Sequence, residues 1–257
     1  MQSSQTKEVE VFPGVTERRY FLRSSIASAA AIVALAASQN VCGQESIKTT
    51  ATSGAELTWD SFLQESVPVA KQLFADPAFT VDEYLYRIGS LATRVREIPD
   101  TKLYPYTQVD SRVFFAPSFR DKASPFFIIQ WRLEPGAVLP PHNHPNASVC
   151  TLGYRGQVRL RNFEIEGEAA PYSEKRSFRV RETHNEMMAP RRINTLSPTR
   201  DNIHCFQAGK EGARGIDIST LHGTTNDFRF LEIAAKPIEP DGRIFEATWS
   251  DIGKKKN

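Results

Sequence analysis

The sequence predicts a mostly β fold, an antiparallel sandwich or barrel that follows a pair of α-helices. From Ala55 to about Arg96 the apolar residues recur at helical spacing. After about Tyr104, short runs rich in β-branched and aromatic residues alternate with turn residues, and no helical pattern interrupts them. With 257 residues, of which 40% are hydrophobic, the chain is long enough to bury one substantial core, so we expect one main domain.

The N-terminal segment has the pattern of a twin-arginine export signal. Residues 17–23 read ERRYFLR, and Arg18 and Arg19 stand just before an alanine-rich apolar run at 26–37. That run is about a dozen residues long, whereas a membrane-spanning helix needs about 20, so we expect no stable membrane insertion. We therefore predict a signal peptide over residues 1–37 that is read by the twin-arginine export machinery of a bacterium, and a periplasmic or otherwise exported protein.

The rest of the chain divides into four parts. Residues 38–54 are small and polar, which is typical of a linker. Residues 55–98 hold two helical patterns divided by DPAFT, with Thr80 at the start of the second, and we expect these helices to pack on the barrel. The barrel is predicted over residues 99–250, where the β-rich runs include NIHCFQAG and ARGIDISTLHG, and a basic tail over residues 251–257.

The composition limits the partners of the protein. The 32 basic and 30 acidic residues give a net charge of +2, which gives no support to nucleic acid binding. We expect a monomer that binds no nucleic acid. Two of the three cysteines, Cys150 and Cys205, lie in the predicted barrel, where they form either one disulfide or two buried free thiols. The sequence contains no CxxC, so a zinc ribbon is excluded.

Two of the five histidines, His142 and His144, lie two residues apart in the stretch GAVLPPHNHPNASV. On an extended segment both imidazoles point to the same face, so the pair can offer two ligands to one metal ion. Gly136 precedes the pair and Gly156 follows it. A β-rich stretch then leads to NIHCF, which presents a third histidine, His204.

These residues resemble the two sequence motifs of the cupin superfamily. The first motif runs from a glycine through five residues to HxH, and then normally to a glutamate and a glycine. Val149, or Ser148 by the alternative spacing, stands where that glutamate falls, and His204 matches the histidine of the second motif. The resemblance implies a cupin double-stranded β-helix, or jelly-roll barrel, after the N-terminal α-helical pair. It also implies that His142, His144 and His204 bind a metal ion as three neutral ligands without a carboxylate.

Within the cupins, the chain resembles the thiol dioxygenases of the cysteamine dioxygenase and plant cysteine oxidase group. The stretch LPPHNHPNASVCTLGYRGQVRLRNFE is similar to the group's HxH and hairpin, DNIHCFQA to its third-histidine strand, and GIDIST to a following strand with an aspartate. The resemblance implies Fe(II), O2 and conversion of the thiol of a small aminothiol or an N-terminal cysteine to a sulfinic acid. It also implies that Asp217, thirteen residues after His204, is a catalytic residue that orients the substrate amine or a water molecule.

One departure from the group leaves the substrate open. The group usually has PPY after the aspartate strand, whereas this chain reads STLHGTTND, without the tyrosine. His222 in this stretch is either a substitute polar contact or a surface histidine, and His184 is either a turn residue or a substrate contact. Two other functions fit the same motifs. One is a cupin that acts on a non-thiol substrate, by oxygenation or at a hydrolytic zinc ion; the other binds a metal or small ligand without turnover.

Overall fold

The computed structural model describes residues 54–224, 228–240 and 242–252. The predicted signal peptide at 1–37 lies outside these ranges, as do nearly all of the predicted linker and most of the predicted basic tail. No helix within the described ranges is both long enough and apolar enough to cross a membrane. The expectation of export therefore stays a prediction.

The two helical patterns form two helices. α1 spans Trp59–Ala75 and α2 spans Val81–Ala92. Thr80 caps α2 as predicted, because its side-chain oxygen accepts the backbone N–H three residues later at 3.1 Å. Leu57 and Val95, at the outer ends of the two patterns, are not helical; they pair in a short parallel bridge that ties the entry of α1 to the exit of α2.

Within the described residues, ten strands form one curled antiparallel sheet. The strands are β1 (Tyr104–Tyr106), β2 (Asp110–Arg120), β3 (Phe126–Leu133), β4 (Val138–Asn143), β5 (Ala147–Glu166), β6 (Phe178–Met188), β7 (Ile193–Leu196), β8 (Ile203–Leu221), β9 (Leu231–Ile233) and β10 (Ile244–Trp249). The main order is β1-β2-β3-β8-β5-β6-β10-β9, with β4 paired to β8 and β7 to β5. This architecture confirms the predicted mostly β fold with a leading helical pair.

The centre of the sheet is the pairing of its two longest strands, β5 and β8. The two sequence runs NIHCFQAG and ARGIDISTLHG are both parts of the single strand β8, not separate strands. The first half of β8 pairs with β4 and with the second half of β5, and the second half of β8 pairs with β3 and with the first half of β5. Each long strand therefore contributes to both walls of the barrel.

The two long strands bend at a point where two glycines meet. Gly156 of β5 and Gly212 of β8 have positive φ values of 70° and 75°, and the β5–β8 register shifts beside Gly156. A Cβ atom on Gly156 would lie 2.1 Å from the carbonyl oxygen of Gly212, so only glycine fits there. The glycine that follows HxH in the sequence thus permits the bend of the barrel wall.

Part of the sheet is buried on both faces. The helices cover the outer face of β3, β8 and β5, where the packed residues include Phe62, Tyr84, Ile88, Ile128, Ile216 and Ile218. A second core fills the interior and includes Trp131, Leu133, Leu139, Leu160, Phe206 and Phe230. Because side chains alternate along a strand, Asp217 points away from the helices and towards this interior.

Tyr84 joins α2 to the sheet through a buried hydrogen bond. Its hydroxyl lies 2.6 Å from Oγ1 of Thr220, and both residues are fully buried. We expect Tyr84→Phe to lower the free energy of unfolding by about 1–3 kcal/mol, because the Thr220 hydroxyl loses its partner. In a double variant with Thr220→Val both polar groups are gone, so we expect much of the loss to be recovered in urea denaturation. A double variant that loses the sum of both single effects would contradict this account.

Candidate metal centre

The three predicted metal ligands come from two neighbouring strands. His142 lies in β4 and pairs directly with His204 of β8, and His144 follows just after the end of β4. The backbone N–H of His144 donates to the carbonyl oxygen of Asn202 at 2.9 Å, which holds the segment after β4 against the start of β8. The structure therefore brings all three histidines together on one side of the two strands, as the HxH spacing predicts for the first two.

The three imidazoles face one another through their Nε2 atoms. The Nε2 atom of His204 lies 2.9 Å from that of His142 and 3.1 Å from that of His144. Two nitrogen ligands that each lie about 2.1 Å from one ion, at right angles to each other, are about 3.0 Å apart. The distances thus fit ligands of a single metal ion, and no other such group of histidine, cysteine and acidic residues occurs in the described part of the chain.

The hydrogen bonding of the rings also favours a cation between them. His142 donates its Nδ1–H to the carbonyl oxygen of Pro140 at 2.9 Å, so its Nε2 carries a lone pair. If Nε2 of His204 carries a proton, it can donate fully to only one of its two neighbours. If it carries none, its lone pair faces that of His142 at 2.9 Å, and a bound metal ion removes that repulsion.

Burial keeps the three histidines neutral. His204 is fully buried and His142 nearly so. Desolvation lowers the pKa of His142 to about 4, and it lowers the pKa of both His144 and His204 well below the ordinary value. Neutral imidazole is the form that binds a metal ion, so the cluster is in its metal-binding form at neutral pH.

Aromatic rings enclose the cluster. The ring centroid of Phe206 lies 4.6 Å from that of His204, and those of Phe230 and Phe228 lie 5.6 and 6.3 Å from that of His142. Sequence reasoning does not single out these residues. The one available signal is FRF at 228–230, in which two aromatic residues two apart face the same side of an extended segment.

Asp217 faces the same interior from the second half of β8. Its Oδ1 accepts hydrogen bonds from the Thr151 hydroxyl at 2.7 Å and from the Trp131 indole N–H at 3.3 Å. Burial raises the pKa of Asp217 to about 6, because these two hydrogen bonds only partly offset the desolvation of the carboxylate. A series of side-chain contacts joins Asp217 to His204. Trp131 donates to Asp217 and stacks on Phe206 with a centroid distance of 5.2 Å, and Phe206 contacts His204.

A further polar residue, Asn162, lies at the cluster. It is fully buried on β5 and pairs directly with His204 of β8. Its side-chain N–H donates to Oδ1 of Asn194 on β7 at 3.1 Å. Sequence reasoning does not find Asn162, because a single asparagine in a strand has no pattern that sets it apart.

The two remaining histidines lie outside the cluster. His184 is opposite Asn162 on β6, and its Nε2 lies 3.1 Å from Oε1 of Glu186 in a contact without hydrogen-bond geometry. His222 is exposed, and its Nε2 lies 2.7 Å from the Ser148 hydroxyl. His222 is therefore at the protein surface. Its side chain is hydrogen-bonded to Ser148, one of the two residues at the position of the cupin glutamate.

The cysteines of the barrel are both free thiols. Cys150 is fully buried beneath the helices, where desolvation raises the pKa of its thiol to about 12. Cys205 follows His204 directly and packs with the apolar residues on the outer side of the sheet. Neither thiol joins the histidine cluster, and of the two alternatives that the sequence left open, one disulfide or two free thiols, the structure has the free thiols.

A cavity of about 480 Å³ lies between α2, β6 and β7. Its lining includes His184, Glu186, Arg192, Asn194 and Arg200. Asn194 lines this cavity and accepts a hydrogen bond from Asn162. Asn162 in turn pairs with His204, the third histidine of the cluster. The volume is within the range of small-molecule binding sites.

The fold and the three-histidine cluster define a cupin with a candidate metal centre. The family model PCO_ADO matches residues 121–220, somewhat less than half of the chain. Over this segment the chain is similar to the family of the plant cysteine oxidases and cysteamine dioxygenases, and the match spans all three histidines and Asp217. The match confirms the resemblance that the sequence motifs predicted.

Solved structures show a fainter likeness. The polyketide cyclase RemF from Streptomyces resistomycificus is 14% identical, with a TM-score of 0.38 over 55% of this chain and 88% of its own. The cupin domain of Cnp3 from Schizosaccharomyces pombe is 14% identical, with a TM-score of 0.35 over 49% of this chain and 72% of its own. The cupin-2 domain Rru_A2000 from Rhodospirillum rubrum is 12% identical, with a TM-score of 0.31 over 48% of this chain and 65% of its own. The comparison with curated proteins gives no match.

The raised pKa of Asp217 predicts a pH-dependent cost in stability. The carboxyl group of Asp217 has a pKa of about 6 in the native state, against 3.8 for the ordinary group. The protonated carboxyl group therefore contributes to stability at low pH, and this contribution is lost as the pH rises through 6. Relative to Asp217→Asn, which has no charge to bury, we expect the metal-free wild-type protein to lose about 2 kcal/mol between about pH 4 and pH 7.5. Urea denaturation of both proteins at several pH values measures this difference. A difference that does not vary with pH would contradict the raised pKa.

Proposed function

We propose that the protein is an iron-dependent thiol dioxygenase that uses O2 to convert the thiol of a small aminothiol, or of an N-terminal cysteine, to a sulfinic acid. The observation that carries the proposal is the convergence of three Nε2 atoms, at 2.9 and 3.1 Å, inside the segment that matches PCO_ADO. His142, His144 and His204 would hold Fe(II) as three neutral ligands.

The lack of a carboxylate in this ligand set favours a thiol as substrate. Three neutral histidines leave a charge of about +2 on a divalent ion, whereas two histidines and a carboxylate leave about +1. A thiolate brings the negative charge that the ligand set does not supply. Fe(II) held by His142, His144 and His204 would supply the activation of O2 that the transfer of both oxygen atoms to the thiolate sulfur needs. The overall reaction, R–SH + O2 → R–SO2H, balances without a reductant.

The side chains around the cluster exclude water and orient the substrate. Phe206, Phe228 and Phe230 make the surroundings of the histidines apolar, which strengthens electrostatic interactions there. Both hydrogen bonds of Asp217 go to Oδ1, so Oδ2 is the atom that orients the substrate amine or a water molecule. With a pKa of about 6, Asp217 is mostly a carboxylate at neutral pH, and a cationic amine is its favourable partner.

The first test is thiol-dependent O2 uptake by the iron-loaded protein and by two histidine variants. We expect His204→Ala to lose bound iron and to lower O2 uptake at least about 100-fold, because one of three metal ligands is gone. His222→Ala is the matched control, since it removes an exposed imidazole that follows the end of β8 and lies outside the cluster, and we expect near wild-type iron content and uptake.

The substrates for this test are cysteine, cysteamine, 3-mercaptopropionate and a peptide with an N-terminal cysteine. We expect one of these thiols to gain about 32 mass units, the mass of two oxygen atoms, with an equal loss of O2. Full iron occupancy without uptake on any thiol would overturn the proposed reaction, and full iron content in His204→Ala would overturn the ligand set. Activity with zinc alone would instead favour a hydrolytic site.

We also propose that residues 1–37 export the folded protein through the twin-arginine machinery. The proposal is supported by the paired Arg18 and Arg19 ahead of the short apolar run. Replacement of both arginines by lysine keeps the charge and the apolar run but removes the recognised pair. In a bacterial host we expect this variant to remain in the cytoplasm while the wild-type chain reaches the periplasm, as measured by fractionation. Equal export of both proteins would contradict the proposal.

A further inference from the structure

Two buried polar atoms beside the cluster lack hydrogen-bond partners among the described residues. One is Oδ1 of Asn162 and the other is Nδ1 of His204. Both residues are fully buried. A buried polar atom without a partner costs about 1–3 kcal/mol, so two such atoms at one place require an explanation.

The two atoms belong to residues that face each other across the sheet. Asn162 of β5 and His204 of β8 form a direct antiparallel pair, so their side chains lie on the same face with Cβ atoms about 5 Å apart. The chemistry of the two atoms is complementary, because a neutral imidazole that binds a metal through Nε2 carries its proton on Nδ1, and an amide oxygen accepts such a proton. The two atoms are thus a donor and an acceptor on directly paired residues, each without another partner in the described part of the chain.

The orientation of the Asn162 amide is set from the other side. Its N–H group donates to Oδ1 of Asn194 at 3.1 Å, and an amide whose nitrogen faces Asn194 presents its oxygen in the opposite direction. His184, the neighbour of Asn162 on β6, is a second imidazole that the oxygen could serve. The Nε2 atom of His184 also makes no hydrogen bond, but the Glu186 carboxylate lies 3.1 Å from it, whereas Nδ1 of His204 has no acceptor among the described residues.

We propose that Asn162 is a positioning residue for the third histidine: its Oδ1 accepts the Nδ1–H of His204, directly or through one water molecule, and so holds Nε2 of His204 towards the metal. Metal-binding histidines generally need such an acceptor, and its removal typically weakens metal binding about 10–100-fold. Asn194 in turn orients Asn162, so the chain of contacts reaches from the 480 Å³ cavity to the metal centre. The inference rests on the proposed function only in taking His204 as a metal ligand.

The test compares the metal affinity of variants that remove either the acceptor oxygen or only the N–H donor of the Asn162 side chain. Asn162→Leu removes the acceptor, and we expect its Co(II) affinity, measured by competition with a chelator, to fall about 10–100-fold. Asn162→Asp keeps an oxygen at that position but loses the donor to Asn194, and we expect affinity within a few-fold of wild type. His184→Ala, on the other side of Asn162, is the matched control and should also bind Co(II) normally.

A second measurement keeps the inference testable if Asn162→Leu does not fold. In the imidazole ¹H–¹⁵N spectrum of the Zn(II)-loaded protein, we expect a slowly exchanging Nδ1–H of His204, shifted further downfield in Asn162→Asp because a carboxylate is the stronger acceptor. Wild-type affinity in Asn162→Leu, equal losses in Asn162→Asp and Asn162→Leu, or no change of this resonance in Asn162→Asp would each overturn the inference. These readouts need no thiol or O2, so a failed dioxygenase reaction leaves their outcome unaffected.

Discussion

The antiparallel pairing of β5 with β8 is the constraint on which the site depends. His204 and Asp217 both lie on β8, but they occupy its two halves, on either side of the bend beside Gly212. The bend exists because Gly156 and Gly212 approach more closely than any side chain allows. Through it, one continuous strand places a histidine of the candidate metal centre and a carboxylate in the same interior. A straight β8 would carry them more than 40 Å apart, at about 3.4 Å per residue.

Burial acts on the two kinds of ionisable group in the interior in opposite directions. Removal of water lowers the pKa of the three histidines and raises the pKa of Asp217, in each case towards the neutral form. The three histidines of the candidate metal centre are therefore neutral and carry no charge that would compensate a divalent cation. The same desolvation makes the metal-free site costly, because short nitrogen contacts and unpartnered polar atoms remain in an apolar interior.

The helices make the strand that carries the site rigid. Ile216 and Ile218 pack into the core beneath α2, and the Tyr84–Thr220 hydrogen bond holds the end of β8 to the same helix. Asp217 lies between the two isoleucines and is thereby fixed on the interior face. His142 and His204 are also carried by strands, and side chains on strands are held more firmly than side chains on loops, which suits a cluster whose nitrogens lie about 3 Å apart.

Much of the fold was present in local sequence patterns. Helical and alternating periodicities predicted the two helices and the β barrel, because such signals repeat over neighbouring residues. The residue type of Thr80 predicted the helix cap. The resemblance of HxH and NIHCF to the cupin motifs predicted the three histidines. The length of β8 could not be predicted, since the glycine-containing stretch between its halves reads locally as a turn and only pairing with β5 keeps it a strand. Asn162 and the aromatic wall were out of reach for the same reason: what sets them apart is their cross-strand and ring neighbours, which come from distant parts of the chain. The residue types of the ligands were thus determined by the sequence, and their surroundings, protonation and supporting contacts by tertiary packing, which alone decides what each side chain is buried against.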